Sequence, residues 1–72
     1  MTKAQAPVRD ERLRRGWTQE DLAQRCADAG VHVTYSAISK IERGTQVPRP
    51  KLRAVLAELL DLDIADLERK AS

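Results

Sequence analysis

Shortness is the tightest constraint on this chain. A polypeptide of 72 residues buries only about 60% of the surface that its unfolded form exposes, so it builds one modest core and no second domain. An enzyme that needs separate substrate and cofactor domains is excluded. A binding module, which needs only a surface, is not. The single core has little aromatic material to draw on, because Trp17 and Tyr35 stand alone and Phe is absent. It must therefore be aliphatic, built from Leu, Ile, Val and Ala. The supply of Ala, Leu, Arg and Glu, all good helix formers, points to an all-α chain.

No apolar run approaches the roughly 18 residues that span a bilayer. The opening MTKAQAPVRD has no apolar h-region of a secretory signal. Cys26 is the one cysteine and has no partner for an internal disulfide, whereas small secreted domains commonly carry several. The expectation is a cytoplasmic protein, with no membrane contact, whose core stands without staples or metal.

The net charge of +2 conceals an asymmetry. Residues 1–53 hold 11 Lys and Arg against 6 Asp and Glu, while residues 54–72 hold 2 against 5. A basic body with an acidic tail suggests that one surface faces a polyanion and another does not.

Residues 1–7 show no pattern and end in Pro7, so they read as a flexible arm, with one domain over residues 8–70. A first helix runs from Val8 to Arg15, its apolar points being Val8 and Leu13, and Gly16 stops it. Thr18 caps a second helix. Glu20 and Asp21 suit its positive end, and Asp21 is placed to close a capping box. Leu22, Ala23, Cys26 and Ala27 form its buried stripe, and Gly30 ends it. After the linker Val31-His32-Val33, Thr34 caps a third helix from Tyr35 to about Arg43. Its only apolar residues, Ala37, Ile38 and Ile41, make one narrow stripe. Pro48 and Pro50 mark a loop. A fourth helix then runs to Leu60 with the wide stripe Leu52, Val55, Leu56, Leu59 and Leu60. Asp63 opens a last short helix with Ile64 and Leu67 inward.

Residues 18–44 are the informative part. A capped helix, a turn containing glycine and a second capped helix with a thin apolar stripe make a helix-turn-helix arrangement. The third helix is poor at burying itself, and its free face offers hydroxyls and cations. Such a face suits a DNA major groove, where Arg and Lys read guanine and hydroxyls read several base edges.

The words Thr18-Gln19-Glu20-Asp21-Leu22-Ala23 and Ile38-Ser39-Lys40-Ile41-Glu42-Arg43-Gly44, in that order and followed by Pro48 and a Leu-rich helix, resemble the phage-repressor and Cro-like (Xre-like) helix-turn-helix family. The resemblance covers about residues 8–68. It implies a five-helix, lambda-repressor-like domain that binds double-stranded DNA. It further implies a sequence-specific transcriptional regulator, a repressor acting as a homodimer on a two-fold symmetric operator, of bacterial, phage or plasmid origin and nucleoid-associated. By the same resemblance Tyr35, Ser36, Ser39 and Lys40 correspond to base-contacting positions. Gln19, Thr34, Arg43, Thr45 and Gln46 correspond to phosphate contacts, and Arg12 and Glu42 to a structural ion pair between the first and third helices. The dimer contact falls on the C-terminal helix and the acidic tail, with Ile64 and Leu67 shared between core and interface. One departure stands out: Ala27 to His32 adds about five residues to the family's usual short turn, read as one further turn of the second helix plus a longer connection. An alternative function is an antitoxin or adaptor whose main role is to bind a partner protein.

Plainer roles account for other residues. Trp17 and Cys26 read as core. His32 has no second His or Cys at ligand spacing, so no metal is expected. Arg49, Lys51 and Arg53 read mainly as solubility charges, with one of them expected on DNA. No Gly-rich phosphate loop and no Ser or Cys with a partner His is present. No catalytic residue and no cofactor is expected, and the chain does not read as an enzyme.

Overall fold

The computed structural model describes residues 7–67, Asp66 by its backbone alone. Four helices form, α1 (Pro7–Arg14), α2 (Gln19–Asp28), α3 (Tyr35–Glu42) and α4 (Pro50–Leu60), followed by a single helical turn, Ile64–Leu67. There is no strand among the described residues.

Each helix begins where the sequence can satisfy or dispense with the orphan N–H groups of a first turn. The Asp21 N–H donates to Thr18 Oγ1 at 2.9 Å, and the Thr18 N–H donates back to Asp21 Oδ2 at 2.9 Å, closing a capping box on α2. At α3 the Ala37 N–H donates to Thr34 Oγ1 at 3.1 Å. Helices α1 and α4 instead open on Pro7 and Pro50, whose missing N–H costs nothing at a first helical position.

Three of the ends share one hydrogen-bond pattern. At the end of α2, Gly30 donates to the Ala27 carbonyl and Val31 to the Cys26 carbonyl, both at 2.9 Å. That double closure needs a left-handed residue, and Gly30 supplies it at φ +95°. Gly16 and Gly44 close α1 and α3 through the same pair of bonds. Helix α4 closes without glycine: Asp61 takes φ 56° and ψ 48°, its N–H donates to the Ala57 carbonyl, and Leu62 donates to the same carbonyl at 2.9 Å.

The core is aliphatic. Val8 of α1, Leu22 and Cys26 of α2, Ile38 and Ile41 of α3, Leu52, Leu56 and Leu60 of α4, and Leu67 are buried together. Steps of three or four residues put each set on one helix face. Trp17, Ala23, Val31, Val33, Val55, Leu59 and Leu62 pack half-buried around it.

Three expectations need correction. Leu13 is 51% exposed, because α1 turns Val8 and Arg12 inward, four residues apart, and Leu13 falls off that face. Ile64 is 41% exposed, since Leu62, just past the left-handed Asp61, packs against the core at that end. The expected fifth helix is one turn among the described residues. Of the expected arm over residues 1–7, Pro7 is the first residue of α1; residues 1–6, and the stretch 68–70 of the expected domain, lie outside the described residues.

Candidate nucleic-acid interface

Helix α3 buries Ile38, Ile41 and Glu42 and presents the rest of its length outward. Tyr35 is 55% exposed. Ser36, Lys40 and Arg43 are exposed and Ser39 is half-buried. The spacing of Ser36, Ser39, Lys40 and Arg43 places them along one face. Thr34, exposed at the start, has its oxygen engaged as the cap. The N-terminal end of α2 carries Glu20 and Asp21, but the first turn of α3 carries no acid. The positive end of the α3 dipole is thus left uncompensated, beside the Tyr35 and Ser36 hydroxyls, while Lys40 lies in the last turn.

A buried charged cluster fixes that helix. Arg12 Nε donates to Glu42 Oε2 at 2.6 Å and Arg12 Nη2 to Glu42 Oε1 at 3.1 Å. The two side chains are 9% and 3% exposed. Gln19 Nε2 donates to Glu42 Oε1 at 3.1 Å, and Arg12 Nη1 to the Trp17 carbonyl at 2.8 Å. One carboxylate at the C-terminal end of α3 therefore ties it to α1 and to the first residue of α2, and the same guanidinium holds the α1–α2 turn. The Gln19 amide keeps one N–H and its carbonyl oxygen for another partner.

Trp17 is half-buried against the core, with the Arg25 guanidinium 4.1 Å and that of Arg15 5.9 Å from its ring centroid. Cation–π contact covers the ring. Arg15 and Arg14 also share Glu11, at 2.6 and 3.2 Å, and the Arg15 hydrogen bond foremost holds the Glu11 carboxyl below the usual range. Cys26 is fully buried, and burial pushes its thiol up to about 11. No group of three His, Cys, Asp or Glu suited to a metal occurs among the described residues. No helix there is long and apolar enough to cross a membrane.

The loop after α3 holds contacts that sequence reasoning missed. The Thr45 N–H and hydroxyl both donate to the Lys40 carbonyl, at 3.0 and 3.1 Å, so Thr45 completes the end of α3. Gln46 is exposed beside it. Arg53 is half-buried and donates to the Pro48 carbonyl at 3.3 Å, which makes it a brace of the loop and not a free surface charge. A shallow groove of about 450 Å³ runs between the Gly30–Thr34 connection, the first turn of α3 and the start of α4. His32, Gln46, Arg49 and Lys51 are among the residues that line it. The signal available in sequence was two cations flanking Pro50, but nothing local places them opposite His32.

A family model described as helix-turn-helix matches residues 8–67 of the chain. Neither the curated proteins nor the solved structures give a match.

Proposed function

We propose, for a chain that belongs to the Xre/Cro-like helix-turn-helix family, that it is a sequence-specific double-stranded DNA-binding regulator and acts as a repressor. The observation that carries this reading is the outward face of α3. Tyr35, Ser36 and Lys40 stand exposed on a helix that is anchored from behind by Glu42 and has no acid at its start. An α-helix fits the major groove, and hydroxyls and cations are the groups that read base edges there. Tyr35, Ser36, Ser39 and Lys40 face the bases in this reading. Gln19, through its remaining N–H, contacts the phosphates together with Thr34, Arg43, Thr45 and Gln46. Thr34 and Thr45 do so while also closing the ends of α3. The protein needs no cofactor and performs no catalysis.

One domain of this size reads only a few base pairs. A second copy on a two-fold symmetric site, with half-sites about 34 Å apart, supplies the rest. The Ile64–Leu67 turn forms the dimer contact in this reading. Leu67 lies in the domain's own core at 3% exposure, so Ile64 and Ala65 are the apolar residues of that turn left for a partner. Sedimentation that stays monomeric at all concentrations, with and without DNA, removes this part.

The test is fluorescence anisotropy of a labelled duplex titrated with protein across a salt series. Lys40→Ala should weaken binding and make the salt dependence shallower by about 1. A relaxed preference at one base pair would add that Lys40 reads that base. Unchanged affinity takes Lys40 out of the site. A folded protein that binds no duplex at any salt contradicts the whole reading and turns attention to a protein partner.

A further inference from the structure

We propose that Arg25 is a positioning residue for α3: stacked on Trp17, it fixes the carbonyl that aims the Arg12 guanidinium at Glu42. The inference rests on the DNA-binding reading above and deepens it, because it assigns the placement of the outward face of α3 to an exposed residue on another helix.

Trp17 is bound twice to Arg12. Its N–H donates to the Arg12 carbonyl at 3.1 Å, and its carbonyl accepts from Arg12 Nη1 at 2.8 Å. The Nε and Nη2 groups of the same guanidinium donate to Glu42. A guanidinium is a rigid planar fork, so moving its Nη1 corner swings the Nε and Nη2 corners with it. The position of the Trp17 carbonyl therefore sets where Arg12 points. Trp17 lies in the connection between α1 and α2, outside either helix. Its ring is what holds it there, packed against the core and covered by the Arg25 guanidinium 4.1 Å from the ring centroid.

Arg25 is the cation committed to that ring. Arg15 also approaches it, at 5.9 Å, but is engaged by Glu11 at 2.6 Å. Arg25 is exposed and makes no ion pair among the described residues. Asp21, four residues earlier on α2, has its carboxyl lowered chiefly by the Thr18 N–H and least by the Arg25 charge. The contacts close a circuit through three helices. Arg25 of α2 holds Trp17, Trp17 holds Arg12 of α1, Arg12 holds Glu42 of α3, and Glu42 accepts from Gln19 at the start of α2. Ile38 and Ile41 press α3 onto the core, but apolar burial is non-directional. Hydrogen bonds have a preferred direction, so the link to Glu42 sets the rotation of α3. A shift there moves Ser36, Ser39 and Lys40 together.

The experiment records proton–nitrogen correlation spectra of the full chain as wild type, Arg25→Ala, Trp17→Leu and the double variant. Circular dichroism checks that the helices are in place. Ala suits a helix at least as well as Arg, so an effect of Arg25→Ala is not a weakened α2. The Arg12 Nε–H, 2.6 Å from Glu42, should resonate downfield and exchange slowly with solvent. An exposed cation–π contact is worth about two- to fivefold in an equilibrium constant. Arg25→Ala should speed exchange of the Arg12 Nε–H by that factor and shift the Glu42 and Arg43 amides. In the Trp17→Leu background the same substitution should do neither. Unmoved Arg12 and Glu42 signals in Arg25→Ala overturn the proposal, and so do equal changes in the Trp17→Leu background.

Affinity for a duplex that the wild type binds supplies the second arm. Arg25→Ala should weaken it by about two- to fivefold with the salt slope kept, because only the binding-competent fraction falls. A slope shallower by about 1 means a direct phosphate contact and overturns the positioning role, as does wild-type affinity. A wild type that binds no duplex removes the regulator reading, while the Arg12 signal still decides whether Arg25 places α3.

Discussion

The Arg12–Glu42 pair gives a quantitative handle on how α3 is held. Glu42 accepts three hydrogen bonds, two from Arg12 and one from Gln19, with its side chain 3% exposed. Arg12→Leu removes two of the three and the whole countercharge, leaving a buried carboxylate held by one amide. Breaking a buried pair from one side costs about 3–5 kcal/mol. At about 0.05–0.15 kcal/mol per residue, a chain of 72 residues holds roughly 4–11 kcal/mol in total. The variant should therefore lose about a quarter or more of its stability, and its thermal midpoint should fall by at least about 12 °C. Glu42→Leu should cost a similar amount, since it leaves the guanidinium with the Trp17 carbonyl alone. The double variant should recover most of the loss, because replacing both buried charges by apolar groups is often close to neutral. Urea denaturation followed by far-UV circular dichroism closes the cycle, with an expected coupling of at least about 5 kcal/mol, the sum of the two single losses less the small residual loss of the double variant. A loss under about 1 kcal/mol for Arg12→Leu, the level of an exposed ion pair, or a coupling near zero, would refute the reasoning.

The same assay checks three more expectations. Leu56 is fully buried, so Leu56→Ala should cost about 2–5 kcal/mol through lost contacts and a cavity; an unmoved midpoint would contradict the packing described for α4. Asp61 sits in the left-handed region at φ 56° and puts a negative charge beside the negative end of α4. Asp61→Gly should therefore raise stability by about 0.5–1 kcal/mol, and a loss would show that Asp61 makes a contact of its own. The Asp21 carboxyl is held below its ordinary value of 3.8, chiefly by the Thr18 backbone N–H. Its folded-state pKa is depressed, so its contribution is fully present above 3.8 and is lost as pH falls through the lowered value. Asp21→Asn should flatten the acid limb of a midpoint-against-pH curve in that range, where Glu11 adds a similar but separate loss.

Much of the fold was legible because its signals are local. Thr18, Thr34, Pro7 and Pro50 mark helix starts, and Gly16, Gly30 and Gly44 mark the left-handed residues that end three of the helices. The Leu52–Leu56–Leu60 stripe can be read from spacing alone. What the spacing could not show is decided at a distance. On α1 the apolar Leu13 faces out and the cation Arg12 faces in, because the partner that makes burial tolerable lies 30 residues away. Asp61 carries the left-handed turn where a glycine was the readable signal. The outward face of α3 followed from its scarcity of apolar residues, but Thr45 gave no hint that it closes the helix behind it. The groove is drawn from residues 30–37 and 46–52, segments that no sequence window joins.

Selection of bound duplexes from a random DNA pool, at about 150 mM salt where long-range attraction is screened beyond about 8 Å, tests the central claim most directly. The expected result is enrichment of a short palindrome whose half-sites lie about one helical turn apart. Such a sequence would show at once that the protein discriminates among sites and that two copies bind. A helical, folded protein that enriches no sequence over the starting pool would contradict sequence-specific recognition by α3.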